Sequence, residues 1–197
     1  MRRVSGARDT LRLGRVLLGS RTNGPGLRDV YWVTGCSILC PGCVNPHLLD
    51  ATTGVDVTLS AIEELLAKRV GEVEGITISG GEPTDQPEGV ARLAAAAWAL
   101  RLSVVVFTGR SLFECERRAE LEPLLRHCDV LVAGPFVAGL RQRSGPLLAS
   151  ANQRVHFLSG RYREEGLGDV PDLELLVGER VFQPNSYLYK RIRRKTP

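Results

Sequence analysis

Residues 29–43 read DVYWVTGCSILCPGC, a short apolar stretch that runs directly into three cysteines. Its first part, residues 29–34, predicts a β-strand because valines and aromatic residues dominate it. The cysteines Cys36, Cys40 and Cys43 follow at once. We therefore expect a loop of chemically active side chains at the carboxyl end of a strand.

Strand and helix patterns alternate along the rest of the chain. Apolar runs rich in β-branched residues predict strands, and apolar residues at helical spacing predict helices. The predicted strands cover residues 76–79, 103–108, 129–133, 154–158 and 173–177, and the predicted helices cover residues 58–70, 88–100 and 111–126. Residues 60–63, Ser-Ala-Ile-Glu, have the spacing of a capping box at the start of the first helix.

This alternation defines the expected fold class. Strands that alternate with helices imply right-handed βαβ crossovers and a mostly parallel sheet. A chain of 197 residues is too short for eight βα units of the usual size, so we expect an α/β fold with an incomplete, open parallel βα barrel. We expect a single domain over residues 1–197, with an N-terminal arm over about residues 1–25, including the stretch from Leu11 to Leu18, and a basic C-terminal tail over about residues 180–197.

The composition limits the cellular compartments and the classes of partner that we expect for this protein. No apolar stretch approaches the roughly 20 residues that cross a bilayer, and the start MRRVSGARD has no apolar signal segment, so we expect a cytoplasmic protein without a membrane partner. Five cysteines, three of them within eight residues, favour a reduced compartment and metal ligation over disulfides. Much of the net charge of +4 lies in the tail, and it does not predict a nucleic-acid partner.

The longest irregular stretch covers residues 135–150 and contains Arg141 and Arg143. A long loop in a compact domain is often a lid or a binding loop. These arginines and the basic tail could dock an acidic surface of a partner. For the tail, simple solvation is the more economical interpretation.

The cysteines form a C-x3-C-x2-C pattern, which puts three thiols on one tight loop. Thiolates are the ligands that iron–sulfur clusters need, and a four-iron cluster held by three of them keeps one iron open to another ligand. Gly35 and Gly42 allow close approach of the backbone, and Pro41 stiffens the turn. Two alternatives stay open: a structural zinc site, which would need His47 or Cys128 as its fourth ligand, and three unrelated thiols. The spacing favours a cluster over both without excluding either.

Two motifs together resemble the radical S-adenosylmethionine superfamily. The cysteine pattern resembles its cluster signature, and residues 78–83, Ile-Ser-Gly-Gly-Glu-Pro, resemble its Gly-Gly-Glu motif. The resemblance implies a [4Fe-4S] cluster on Cys36, Cys40 and Cys43, with the open iron chelated by the amino and carboxylate groups of S-adenosyl-L-methionine. It further implies cofactor contacts from Gly42, Val44, Ser79, Gly80, Gly81, Glu82 and Thr108. The two glycines of the motif let backbone carbonyls approach, and the glutamate can balance an ammonium group.

Further segments resemble the glycyl-radical-enzyme activases. Residues 23–28, Asn-Gly-Pro-Gly-Leu-Arg, are similar to a segment before the first strand of those enzymes. Residues 40–46, 108–109, 129–136 and 152–154 resemble the anaerobic ribonucleoside-triphosphate reductase activating protein family, and the likeness runs from about residue 11 to about residue 158. The chain differs from the family at Asn23 (usually Asp), Arg110 (usually an aromatic residue), Ala133 (usually Asp) and residues 148–150, Leu-Ala-Ser in place of Arg-Gly-Ser.

The resemblance implies an oxidoreductase. A reduced cluster would pass an electron to S-adenosylmethionine, and the resulting 5′-deoxyadenosyl radical would take a hydrogen atom from a glycine of a partner such as anaerobic ribonucleotide reductase. A flavodoxin or a ferredoxin-type protein would supply the electron. Two alternatives stay open: a radical enzyme that modifies a small molecule or peptide directly, and a non-catalytic iron–sulfur or zinc protein.

The remaining cysteines and tryptophans are interpreted as structural. Cys115 and Cys128 fall within and just after the third predicted helix, where packing roles are expected. Trp32 and Trp98 are expected to be core aromatics. No catalytic residue beyond the ligands of the cluster and of the cofactor is predicted.

Overall fold

The computed structural model describes residues 9–142, 147–167, 170–171 and 181–182. Its strands are β1 Thr10–Ser20, β2 Arg28–Val33, β3 Val55–Thr58, β4 Gly75–Gly80, β5 Ser103–Thr108, β6 Val130–Ala133, β7 Arg154–Phe157 and β8 Val181–Phe182. Its α-helices are α1 Leu59–Arg69, α2 Pro87–Ala99, α3 Leu112–Glu116 and α4 Glu122–Arg126. Short 3₁₀ helices cover Pro46–Leu48, Ala51–Thr53, Pro83–Asp85, Ala119–Leu121, Ala138–Leu140 and Glu164–Leu167.

The strands form one open sheet in the order β3-β1-β2-β4-β5-β6-β7, with β8 on β1. The four central strands, β2, β4, β5 and β6, are parallel, as the alternating pattern predicts. The flanking strands β1, β3, β7 and β8 pair antiparallel with their neighbours, so residues 154–158 do not extend the parallel part. No described strand closes the sheet, and no described helix is long and apolar enough to cross a membrane.

Side chains alternate between the two faces of the central strands. One face packs into the main core, as Tyr31, Ile78 and Val106 do. The opposite face carries Trp32 and Phe107, which border a cavity. The sheet therefore has the main core on one face and the cavity on the other.

The boundaries of two predicted helices need correction. The first helix starts at Leu59, and its N-cap is Thr58, whose Oγ1 accepts from the Ala61 N–H at 3.4 Å, so the capping box at residues 60–63 is wrong. The stretch 111–126 is two short helices, α3 and α4, rather than one. Pro123 explains the break, because it lacks an N–H and its ring would clash with the carbonyl four residues earlier, so it fits only the first turn of a new helix.

The N-terminal stretch from Leu11 to Leu18, expected to be an arm, is part of strand β1. It pairs with β2, β3 and β8, and the register shifts between Leu13 and Arg15. The predicted strand at residues 173–177 and nearly all of the basic tail lie outside the described residues. The single-domain boundaries stay a prediction.

Neither tryptophan is a core residue. Trp98 is 41% exposed because it lies at the edge of the buried face, in the last turn of α2, where its ring meets His127 edge-on. Trp32 is half-buried and borders the cavity, and the Arg15 guanidinium lies 5.0 Å from the centre of its ring. Trp32 thus belongs to the face of the sheet that borders the cavity.

A buried ion pair ties strand β2 to helix α1. The Asp29 side chain is fully buried and accepts from Arg69 Nε at 2.8 Å and from the Gly19 N–H at 2.9 Å. We expect Asp29→Ala to lower the free energy of unfolding by about 3 kcal/mol, because it leaves a largely buried guanidinium without its main partner. Urea titration followed by circular dichroism measures the change.

The matched control for this prediction is the exposed pair of Asp9 with Arg92. Solvent screens it, so Asp9→Ala should cost less than about 1 kcal/mol. Equal losses in the two variants would contradict the assignment of the Asp29 pair as a stabilising link.

Candidate functional site

Four loops meet at the carboxyl ends of the parallel strands and border a cavity of about 330 Å³. The loop after β2 carries the three cysteines, and the loop after β4 carries Gly81 and Glu82. The loops after β5 and β6 contribute Gly109 and Phe136. Ligand sites of open α/β sheets form at this edge, so the sequence motifs and the cavity coincide.

The cysteine loop presents all three thiols to this cavity. Cys36, Cys40 and Cys43 are each partly buried, and they are free thiols. Positive φ angles at Gly35 (89°) and Gly42 (72°) let the chain turn this tightly. One backbone donor already points to a sulfur, since the N–H of Asn45 lies 3.4 Å from Cys43 Sγ.

Burial raises the pKa of the Cys36 thiol, and the carboxylates of Glu82 and Asp85 act in the same direction. Backbone hydrogen bonds from the loop oppose this shift. A coordinated metal ion removes the proton from a thiol outright. This cysteine is therefore expected to stay protonated until metal binds.

The geometry bears on the zinc site considered above. In the part of the chain that the structure describes, no three His, Cys, Asp or Glu side chains are placed to share one metal ion. Cys128 is buried before β6, at the opposite end of that strand from the cavity, and its thiol donates to the Val130 carbonyl at 3.2 Å. A tetrahedral zinc site is therefore not formed with Cys128. An iron–sulfur cluster bonds each thiolate to a different iron, so a loop of three thiols suits it.

The glycine pair after β4 allows two loops to touch. A side chain at Gly81 would place its Cβ 2.2 Å from the carbonyl oxygen of Gly35. Because that oxygen belongs to the backbone, the clash could be relieved only by moving one of the two loops. Gly80 has a φ of 116°, and a Cβ there would lie 2.3 Å from the carbonyl oxygen of Val33. The N–H of Glu82 then donates to Gly35 at 2.8 Å. The glycines thus dock the second motif against the base of the cysteine loop.

Glu82 is 1% exposed and links the ends of two strands. Its Oε1 accepts from the Thr84 N–H (3.0 Å) and from the hydroxyls of Thr84 (2.8 Å) and Thr108 (2.7 Å). Its Oε2 accepts from the N–H of Gly109 at 2.8 Å. The carboxylate therefore orders the cavity wall, and Oε2 is the less occupied oxygen that a cationic ligand could reach.

Asn23 borders the cavity, and the segment that follows it packs beside β2 and β4. The Thr77 hydroxyl donates to the Asn23 carbonyl at 2.6 Å. Beneath it, the fully buried Arg28 donates to Thr77 Oγ1, the Pro25 carbonyl and Ser103 Oγ, each at 2.9 Å. Burial lowers the pKa of Arg28, and the nearby Tyr162 opposes the shift. We call this segment with Arg28 the floor of the cavity.

Most of the residues predicted for the cofactor lie together. The cavity is lined by the three cysteines and by Val44, Ser79, Gly80, Gly81, Glu82 and Thr108. Gly42 is exposed and lies outside the lining, where its positive φ shapes the loop. Arg141 is exposed, His47 is exposed, and Arg143 lies outside the described residues. Their binding roles stay predictions.

Gln153 is a site residue that sequence reasoning missed. Its amide oxygen accepts from the N–H groups of Ala149 (2.9 Å) and Ser150 (3.2 Å), while its Nε2 donates to the Gly134 carbonyl at 2.9 Å. Leu147 and Ala149, from the long irregular loop, border the cavity. The Gln153 side chain thus holds that loop at the cavity wall. Its signal in the sequence is its place in residues 152–154, which resemble the activating-protein family, although that resemblance assigns the residue no role.

The chain is similar to a family of iron–sulfur domains and to several named proteins. Residues 22–156 match the family model of a 4Fe-4S single cluster domain. The anaerobic ribonucleoside-triphosphate reductase-activating protein of Escherichia coli (strain K12) is 32% identical over 145 residues, which cover 69% of this chain and 92% of that protein. The protein of the same name from Haemophilus influenzae is 30% identical over 142 residues, covering 68% and 90%. The one from Enterobacteria phage T4 is 30% identical over 123 residues, covering 60% and 76%.

Proposed function

Because the chain belongs to the family of anaerobic ribonucleoside-triphosphate reductase-activating proteins, with a 4Fe-4S single cluster domain, we propose that it activates a glycyl-radical partner of the anaerobic ribonucleotide reductase type. In this proposal it does so as a radical S-adenosylmethionine enzyme. The open sheet is then an incomplete barrel of the radical S-adenosylmethionine type, in a reducing, cytoplasmic setting.

One observation carries the proposal. The three thiols of the cysteine loop and the Gly80–Glu82 segment border the same cavity, at the carboxyl ends of adjacent strands. An electron-transfer protein needs the thiols alone. The second loop, with its close backbone approach and its buried carboxylate, supplies what a cationic small molecule beside the cluster requires.

When bound, the cluster would supply one electron to break the sulfur–carbon bond of S-adenosylmethionine, which would give methionine and a 5′-deoxyadenosyl group able to become 5′-deoxyadenosine by accepting a hydrogen atom from the partner's glycine. The protein provides the surroundings. Cys36, Cys40 and Cys43 hold the cluster with one iron open. Glu82 Oε2 balances the ammonium group of the methionyl moiety, which Gly80 and Gly81 leave room to approach.

The cavity also suits the proposed ligand in size and lining. Its 330 Å³ lies within the range of about 300–1,000 Å³ that small-molecule sites occupy. Ile38, Phe107 and Phe136 give it apolar walls, which limit the access of water to a reactive intermediate. A flavodoxin or a ferredoxin-type protein is the proposed electron donor.

The decisive experiment joins the protein to its proposed cofactors and partner. The protein is reconstituted anaerobically with iron and sulfide, reduced, and mixed with S-adenosylmethionine, and 5′-deoxyadenosine and methionine are quantified by chromatography. An anaerobic ribonucleotide reductase is then added, and a glycyl-radical signal is sought by electron paramagnetic resonance. We expect both products and the signal.

The outcomes separate the proposal from its alternatives. Cleavage of S-adenosylmethionine without a radical on the reductase would favour an enzyme that acts on a small molecule or peptide. A cluster without cleavage would favour a non-catalytic iron–sulfur protein. Failure to incorporate iron and sulfide would overturn the proposal from its first step.

A further inference from the structure

Arg110 connects three loops at the outer edge of the candidate site. Its Nε donates to Thr84 Oγ1 at 2.9 Å, and its Nη2 donates to Ser37 Oγ and to Asp85 Oδ1, both at 2.9 Å. These partners come from the loop after β4 and from the cysteine loop. Arg110, which itself follows β5, therefore contacts both motif loops with one side chain.

Asp85 grips the cysteine loop directly beside a predicted ligand. Its Oδ2 accepts from the Ser37 N–H at 2.7 Å, and its Oδ1 accepts from the Ser37 hydroxyl at 2.9 Å. Ser37 follows Cys36, so this carboxylate fixes the peptide next to the first thiol. The side chains of Arg110 and Asp85 are 23% and 25% exposed, so solvent screens the pair less than it screens a surface ion pair.

The same network reaches the buried glutamate. The Thr84 hydroxyl, which accepts from Arg110 Nε, donates to Glu82 Oε1 at 2.8 Å. The backbone N–H of Arg110 donates to Thr108 Oγ1 at 3.1 Å, and that hydroxyl donates to the same carboxylate oxygen. Movement of Arg110 would thus disturb the cysteine loop and the Glu82 hydrogen bonds together.

We propose that Arg110 is a positioning residue that locks the cysteine loop onto the Gly-Gly-Glu loop through Asp85 and Ser37, and that its charge raises the reduction potential of the bound cluster. The inference rests on the proposed function, because it needs a cluster on the three cysteines. It assigns a role to a position at which this chain differs from the family it resembles.

The electrostatic part follows from the charges beside Cys36. Reduction adds a negative charge to the cluster, so a nearby cation favours the reduced form and a nearby anion opposes it. With Arg110 present, the negative charge of Asp85 is balanced at 2.9 Å. Without Arg110, Asp85 stands next to the cysteine loop uncompensated.

The test is an anaerobic redox titration of the reconstituted protein, followed by electron paramagnetic resonance of the reduced cluster. We expect Arg110→Gln to lower the one-electron equilibrium constant for reduction by about tenfold, which corresponds to about 59 mV. Arg110→Lys should keep most of the wild-type potential because it keeps the charge. The double variant Arg110→Gln with Asp85→Asn should lie closer to the wild type than Arg110→Gln alone.

The positioning role of Arg110 is measured separately, by the rate at which a chelator removes iron from the reconstituted protein. Arg110→Gln and Arg110→Lys should both lose iron faster than the wild type, because lysine cannot reproduce the planar set of donors that reaches Ser37, Thr84 and Asp85. Arg117→Gln is the matched control. Arg117 is exposed, and its guanidinium stacks on Phe113, 5.3 Å from the ring centre.

The result that overturns the inference is a potential and a rate of iron loss in Arg110→Gln equal to those of Arg117→Gln. If Arg110→Gln does not fold, Asp85→Asn decides: a potential raised above that of the wild type supports the charge assignment, and an unchanged one refutes it. Wild-type protein that takes up no cluster would instead overturn the proposed function.

Discussion

The Cys36→Ala, Cys40→Ala and Cys43→Ala variants are each expected to lose the iron–sulfur cluster and, with it, all cleavage of S-adenosylmethionine. Every thiol bonds a different iron, so the loop offers no substitute when one is removed. Loss of a hydrogen-bond partner of a metal ligand weakens metal binding by roughly 10- to 100-fold, and loss of the ligand itself should weaken it further. Iron and sulfide analysis after anaerobic reconstitution measures the effect.

Cys115→Ala is the matched control for these variants. Cys115 is 1% exposed inside the core next to α4, and burial raises the pKa of its thiol to about 11. Its substitution leaves a small cavity and costs about 1 kcal/mol of stability, without touching the cysteine loop. Wild-type iron content in any of the three loop variants, or its loss in Cys115→Ala, would contradict the assignment of the ligands.

Gly81→Ala is expected to separate the two motif loops. The new methyl carbon would lie 2.2 Å from the Gly35 carbonyl oxygen and 2.9 Å from the Leu48 carbonyl oxygen, and both of these atoms belong to backbone. The hydrogen bond from the Glu82 N–H to Gly35 cannot survive that shift. We expect the free energy of unfolding to fall by about 3 kcal/mol, the size of a severe overpacking defect.

The same substitution should weaken the binding of S-adenosylmethionine to the reconstituted protein by at least about tenfold, or about 1.4 kcal/mol, since the approach to the cluster is displaced. Equilibrium dialysis with labelled cofactor measures this. Gly160→Ala is the control, because a Cβ at Gly160 meets no atom within 4 Å. Equal affinity in Gly81→Ala and Gly160→Ala would show that the loop contact is irrelevant to the cofactor.

The sequence was most informative where one physical requirement dominates. Residues 103–108 form β5 with the predicted bounds, because an apolar run dominated by valines fits a strand buried on both faces. The two motif loops could be placed at one edge because the carboxyl ends of parallel strands meet there. The cysteine spacing and the paired glycines needed no tertiary information.

The errors arise where local pattern and tertiary contact diverge. Strand β1 was missed because the register shift between Leu13 and Arg15 interrupts the alternation that identifies a strand. Trp98 was placed in the core because its apolar surface predicts burial, whereas the edge of a helix face leaves it exposed. The network of Ser37, Asp85 and Arg110 joins residues up to 73 positions apart on three loops. No local sequence pattern predicts that these side chains contact one another.

The floor of the cavity also bears on the order in which the small molecule and the protein partner bind in the proposed reaction. Arg28 is fully buried and donates to the Pro25 carbonyl, so the floor is packed, whereas the three cysteines that border the cavity are partly exposed. In the proposed reaction we therefore expect the small molecule to enter beside the cysteine loop, before the protein partner covers that side of the cavity.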